Sequence, residues 1–394
     1  MTHARPLCAQ AGYLSVGVEP YGGGLWYTWF DRDLTVGGRA LVRRGGVLSH
    51  ELVYVPRPVL RIPSLAIHLN REIATEGMKV NAQNHLPPVL ATAVKAALDA
   101  GSDAAPGGKA AKAEGLAERH HPLLLQLLAA ELRCAPGDIA DFDLQLCDTQ
   151  PACVGGALNE FIFSGRLDNL ASCYTSLRAF IDACGDEASL ADETCVRMVA
   201  HFDHEEVGSA SAHGAGSPCM LDAIRRVAAA LAGGQEGAVE RAIRASFLVS
   251  ADMAHTVHAN YADRHDACHA PQLHAGLVVK HNANQRYATD GVTAFLFREL
   301  GRAAGVPFQE FAVRSDLACG STIGPIIAAN TGMRAGDCGA PMLSMHSIRE
   351  LCGTDDVAHA VAHFRAVYQR FSKLDAELTV DAPGPDLRRL RMDA

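Results

Sequence analysis

From about residue 159 to residue 371 the chain alternates between helical apolar spacing and short β-type runs. Leu170 to Ala183, Met220 to Ala232, Asp290 to Ala304 and Val357 to Phe371 carry apolar residues three and four apart, which predicts helices. Val196 to Phe202, Ser246 to Ser250 and Phe308 to Val313 are short and apolar, which predicts strands. This alternation constrains the region to an α/β domain, with a mainly parallel sheet covered by helices. In such sheets, ligands bind outside the carboxyl ends of the strands.

The first part of the chain has another texture. RALVRR, VLSHELVYVP and PVLRIP, within residues 10–70, read as antiparallel strands joined by Gly turns. Pro88 to Ala100 and Pro122 to Arg133 read as helices. Between them, GSDAAPGGKAAKAEGLAE (101–118) is small, polar and Gly-rich, the composition of a surface loop. The expected division is a mostly-β domain over 1–158 and an α/β domain over 159–385. A length of 394 residues accommodates both.

Composition removes several classes of function. The net charge of −9, with no long basic run, argues against a nucleic-acid surface. No apolar run approaches the ~18 residues of a membrane span. The start, MTHARPLCAQAGYL, lacks the apolar segment of a secretory signal, so a cytoplasmic protein is expected. The 12 cysteines are scattered with no CxxC pair. That excludes a zinc ribbon and suits reduced thiols, most of them small core residues.

Polar residues concentrate in four places. Asp203-His204-Glu205-Glu206-Val207-Gly208-Ser209 follows the expected strand RMVAHF. Side chains alternate on a strand, so two adjacent glutamates at its end would face different parts of a pocket. Ser250-Ala251-Asp252-Met253-Ala254-His255 follows the apolar SFLV. Arg166-Leu167-Asp168-Asn169 opens a helix, where Asp168 alone would suit an N-cap. Met345-His346-Ser347-Ile348-Arg349-Glu350 places a histidine at an expected helix start. Read singly, each has an ordinary structural explanation. Together they offer carboxylates and an imidazole, the ligands that two borderline cations need. Two such metals, roughly 3.5–4 Å apart, can activate water and polarise a carbonyl, and a free carboxylate beside them can take the proton. There is no GxSxG and no HExxH, which leaves a serine hydrolase and a helix-borne single-zinc protease without support.

Eight segments, in one order, resemble the aspartyl aminopeptidases. They are YGGGLWYTWFDRDL (21–34), IPSLAIHLNR (62–71), DTQPACVGGALNEFIFSGRLDN (148–169), FDHEEVGSASAHGA (202–215), SADMAHTVHANYADRH (250–265), VVKHNANQRYATD (278–290), CGSTIGPI (319–326) and MHSIRE (345–350). The resemblance runs from about Gly12 to about Phe371. It implies a zinc-peptidase catalytic domain and a separate dimerisation domain in the first part of the chain. It implies two zinc ions per subunit, replaceable in vitro by cobalt or manganese. Asp168 would bridge the metals, Glu206 and His346 would complete one site, and Asp252 would belong to the other. Glu205 would be the general base. His255, Lys280 and Tyr287, with Glu205 and Asp252, would contact substrate, and His68 would reach the active site of a neighbouring subunit. The substrates would be peptides with an amino-terminal Asp or Glu. Dimers would build a tetrahedral dodecamer with inward-facing active sites.

One part of the pattern is not found. The family's His-Thr-Asp-Ser type motif, whose His shares a metal with Asp252, belongs ahead of the dimerisation domain. Only MTHARPLCAQA precedes the matching region, and the one His-x-Asp in the chain is His201-Phe202-Asp203. Two readings follow. Either the sequence is an amino-terminally incomplete version of an active enzyme, or it is a shorter, catalytically impaired paralogue serving as an assembly or peptide-binding subunit. The intact ligand, base and substrate positions favour the first.

Overall fold

The computed structural model describes residues 5–99 and 116–379. Most of the expected loop at 101–118 therefore lies outside the described residues. Contacts group the chain into two units, Met1–Cys153 with His346–Arg349, and Val154–Met345 with Glu350–Ala394.

The first unit is built on two antiparallel sheets. Strands β1 (Arg5–Gln10), β2 (Tyr13–Gly17) and β5 (Val89–Thr92) form one. Strands β4 (Val47–Tyr54), β3 (Leu34–Arg44) and β6 (Ile139–Asp148) form the other, with β3 central. From Arg39 to Arg43, β3 alternates exposed and buried side chains, so Ala40 and Val42 point inward while the arginines stay in water. Gly38 lies where a Cβ would meet the Asp143 carbonyl oxygen at 2.1 Å, which only glycine permits opposite Leu144. Leu124, Leu125 and Leu128 of the helix Pro122–Leu132 join Leu34, Val36 and Val42 in one core. Two expectations change here. Pro88 to Ala100 divides into β5 and a short helix, Ala93–Asp99, because Leu14 and Ser15 offer the Val89–Ala91 backbone a ladder. PVLRIP makes only isolated bridges, Leu34 to Leu60 and Arg61 to Val89.

The second unit holds two sheets flanked by helices. One has the order β12 (Phe308–Ala312), β11 (Leu277–His281), β13 (Arg334–Gly339), β9 (Phe247–Ala251). The other has the order β10 (Ala254–His255), β14 (Pro341–Leu343), β15 (Glu350–Gly353), β8 (Phe161–Ser164), β7 (Cys153–Gly155). The expectation of a mainly parallel sheet is corrected to mixed sheets. β11 runs parallel to β12 but antiparallel to β13, and both β14 with β15 and β15 with β8 are antiparallel. The helical spacing showed that helices intervene, but not which way each strand returns. Val196 to Phe202 is also corrected: no strand is assigned there, because no ladder partner is found among the described residues. A strand depends on its neighbour, which a local pattern does not reveal.

Helix Leu167–Cys184 buries Ser172, Thr175, Ala179 and Ala183 and packs on helix Thr354–Glu377. Its exposed residues Leu170, Tyr174, Leu177 and Ile181 recur at helical spacing and form an apolar stripe. Leu277, Val279, Ala294, Phe297, Ala360 and Phe364 fill the core between β11 and its covering helices. Of the described cysteines, only Cys338 and Cys352 are buried, whereas Cys153, Cys195, Cys219 and Cys268 are exposed. The expectation that most cysteines pack in the core is corrected accordingly. No described helix is long and apolar enough to cross a membrane.

Candidate metal and catalytic site

Strand β9 ends at Ala251, and Asp252 follows at the carboxyl end, its amide donating to the Cys338 carbonyl on β13 at 2.9 Å. The neighbouring chain is close here. A Cβ on Gly339 would lie 1.7 Å from the Asp252 carbonyl oxygen, so this position tolerates only glycine without movement. Burial raises the Asp252 carboxyl pKa, and the nearby Lys280 ammonium opposes that rise.

Lys280, on β11, is 2% exposed. Its Nζ donates to Asp252 Oδ2 at 3.0 Å and to the Met253 carbonyl at 2.7 Å, and it lies 5.4 Å from the centre of the Tyr287 ring. A buried ammonium needs such partners, because an unpaired charge away from water is costly. Tyr287 is buried in turn. Its phenol is pushed well up, by burial first and then by its hydrogen bond with Cys319, and it stays protonated at neutral pH.

Asp168 stands at the start of helix Leu167–Cys184, but its backbone is not helical and the Asp168–Asn169 peptide is cis. No side chain caps this helix. Instead, the Asp168 amide donates to Glu350 Oε2 at 3.1 Å, and Asn169 Nδ2 donates to the Ala251 carbonyl at 2.8 Å. These bonds hold the segment beside the end of β9. The Asp168 and Asp252 carboxyl groups are in hydrogen-bonding contact.

Glu205 and Glu206 do not extend a strand, as the sequence suggested. They sit in the 3-10 turn Glu205–Val207, entered through His204 at φ 61° and left through Gly208 at φ 97°. His204 Nδ1 and Ser211 Oγ, 2.7 Å apart, brace the entry. A carboxylate oxygen of Glu206 and one of Asp168 lie within 4.8 Å of each other. The Glu205 carboxyl is pushed up to about 7. Burial is the main cause, followed by the charges of Asp252, Glu206 and Asp168, with Lys280 opposing. Four carboxyl groups thus act on one another here, with a single ammonium, that of Lys280, paired to Asp252. Carboxylates crowded in this way must bind protons or a cation, and hard or borderline cations take oxygen ligands of this type. The donor set fits a divalent metal.

The other expected residues fall as follows. His255 is exposed, with its ring 5.8 Å from that of Phe311. His68 is exposed in the turn Ile67–Leu69 of the first unit. His346 does not open a helix. It follows β14 at φ 65°, in the segment that groups with the first unit, where its Nδ1 and the Gly23 carbonyl are 2.7 Å apart. Two buried carboxyl residues nearby were given no role from sequence, Glu350 and Asp337. A signal for Asp337 was available: a lone charge inside the small, apolar run AGDCGA, where ionisable groups are seldom buried without partners.

Comparison with known proteins supplies the remaining observations. Residues 3–368 match the family model of the aminopeptidase I zinc metalloproteases (M18). A probable aspartyl aminopeptidase of Ricinus communis is 54% identical over 386 residues, covering 94% of this chain and 78% of the relative. The structure of the Ape4 and Nbr1 complex superposes with a TM-score of 0.89 at 41% identity, covering 96% of this chain and 71% of that one. The S. cerevisiae mApe1 dodecamer gives a TM-score of 0.74 at 27% identity, covering 95% and 78%.

Proposed function

Because the chain belongs to the M18 family of zinc metallo-aminopeptidases, we propose that it releases amino-terminal Asp or Glu from peptides, with Glu205 as the general base. The observation that carries this reading is the acidic cluster at Glu205, where the charges of Asp252, Glu206 and Asp168 act on its carboxyl and oxygens of Glu206 and Asp168 lie within 4.8 Å of each other. A carboxylate beside a metal-binding group can take a proton from water and return it. The name of the Ricinus relative supports acidic substrates.

Asp168 and Glu206 would hold one metal, with His346 as a third ligand. Asp252 would serve a second ion shared through Asp168. Bound zinc supplies a Lewis acid that polarises the scissile carbonyl and lowers the pKa of water. The chain's own groups do the rest. Glu205 takes the proton of the attacking water and delivers it to the leaving amine. Lys280 fixes Asp252 and places positive charge close to an acidic substrate. Tyr287, kept protonated, offers a donor, and His255 lies exposed two residues beyond Met253. His68 would act in trans within a homo-oligomer, a reading supported by the dodecameric relative.

The test is hydrolysis of Asp-, Glu-, Leu- and Lys-anilides by the purified protein with zinc, cobalt or manganese, beside metal analysis. Acidic anilides should turn over fastest, and Glu205→Gln should lose about 10²–10⁴-fold with metal content unchanged. Wild-type turnover no greater than that of Glu205→Gln would sink the proposal.

A further inference from the structure

We infer that Asp337 is a positioning residue for this site, holding the Tyr287 loop and the Cys319–Thr322 loop in one arrangement. The inference rests on the functional reading above for its kinetic consequence, but not for its geometry. Asp337 is 1% exposed on β13, one residue before Cys338, whose carbonyl receives the Asp252 amide. One carboxylate oxygen accepts the Ala288 N–H at 2.6 Å and the other accepts the Thr322 hydroxyl at 2.6 Å. Ala288 directly follows Tyr287. Thr289 Oγ1 accepts the Asp337 amide at 2.8 Å, so the same three-residue stretch is tied to β13 twice.

The two loops are also tied to each other. The Thr322 amide and the Ser321 hydroxyl both donate to the Arg286 carbonyl, at 3.4 and 3.2 Å. Cys319 and the Tyr287 hydroxyl are hydrogen-bonded. Nothing here neutralises Asp337 through a direct ion pair among the described residues. Its charge faces one N–H, one O–H and the first turn of helix Ile323–Thr331, whose N-terminal dipole favours an anion. Gly324 makes that approach possible, because a Cβ there would lie 2.4 Å from Asp337 Oδ2. A buried carboxylate kept this close to a helix start costs desolvation. It is repaid in fixed geometry, with the Tyr287 ring held against Lys280 and thereby against Asp252.

The experiment combines thiol labelling with kinetics on the full chain. Cys319 is half-buried, Cys338 is buried, and Cys153 and Cys195 are exposed. A pulse of iodoacetamide, read by peptide mass spectrometry, reports on each separately. In Asp337→Ala and Thr322→Val, Cys319 should label about tenfold faster, with Cys338 still protected and the exposed thiols unchanged. The kcat/KM for an Asp-anilide should fall about 10–100-fold in Asp337→Ala. Asp337→Asn should stay within about threefold of wild type, because its amide oxygen can accept from Ala288 and its NH2 can donate to Thr322. Should Asp337→Ala fail to fold, Thr322→Val decides by the same readings. An unchanged Cys319 rate overturns the inference, as does a joint rise of Cys319 and Cys338 in Thr322→Val. A wild-type protein inactive on acidic anilides would sink the aminopeptidase reading alone, since labelling still decides the clamp.

Discussion

His363 makes the stability of this chain depend on acid in a calculable way. It is 0% exposed on helix Thr354–Glu377, stacked on Phe297 at 4.0 Å between ring centres. Its Nε2 donates to the Phe297 carbonyl at 2.8 Å, while its Nδ1 is buried with no hydrogen-bond partner. Protonation would add a second N–H with nothing to receive it, and burial accordingly depresses the pKa from 6.5 to about 4. Between those values the unfolded chain binds a proton that the folded chain refuses. Stability is therefore lost as pH falls from about 6.5 towards 4, and the slope vanishes on either side. A shift of this size corresponds to about 3 kcal/mol in full and about 2.5 kcal/mol by pH 4.5. Urea unfolding at pH 7.5, 6, 5 and 4.5 measures it, with His363→Gln as reference. The glutamine keeps an N–H donor for Phe297 but does not titrate. The variant should be less stable than wild type at pH 7.5, from lost ring packing, and the gap should close by about 2 kcal/mol or more at pH 4.5. Parallel curves, agreeing to about 0.5 kcal/mol across the range, would refute the buried neutral imidazole.

Two further perturbations probe the site's framework. Lys280→Met strands the Asp252 carboxyl. Breaking a fully buried pair costs about 3–5 kcal/mol, but the Asp252 side chain is 22% exposed, so about 2–3 kcal/mol is expected in urea melts of metal-free protein. A cycle with Asp252→Asn should show a coupling of at least about 1 kcal/mol, and additivity would count against the pair. Gly339→Ala drives a methyl into the Asp252 carbonyl and should cost about 1–3 kcal/mol. Because the strain falls on a proposed ligand, zinc retained after gel filtration should drop as well. Full retention would show that the Asp252 backbone yields without moving its carboxylate.

The helices were legible because their signals are local. Asp290 and Thr293 form the reciprocal cap of helix Gly291–Ala304, and its buried Ala294, Leu296, Phe297 and Leu300 keep helical spacing. The turn from β9 to Asp252 was legible for the same reason, as an apolar run broken by an acid. Val196 to Phe202 failed because pairing is not a property of seven residues. Lys280 was legible only in part. The sequence places a lysine within LVVKH but does not show that its ammonium is held by Asp252 and the Met253 carbonyl. Burial of a charge is decided by the strands on either side, and β12 and β13 both come later in the chain.

The clearest departures from local preference sit beside the acidic residues. Arg166, His204 and Ser209 all adopt positive φ, at 62°, 61° and 62°, although none is glycine. Arg166 lies two residues before Asp168, His204 immediately before Glu205, and Ser209 three after Glu206. Such conformations cost about 1–3 kcal/mol each in sparsely populated regions, less for His in the left-handed region than for Arg. A chain relaxed to its own preference would extend through His204, as the sequence pattern suggested, and would send Glu205 and Glu206 to opposite faces. The left-handed entry at His204 instead turns both into one 3-10 turn, with Glu206 within reach of Asp168 and Glu205 surrounded by three other carboxyl groups. The acidic cluster therefore exists because the backbone is held against its local tendency, and the braces that hold it, His204 to Ser211 and Asp168 to Glu350, belong to the site as much as the carboxylates do.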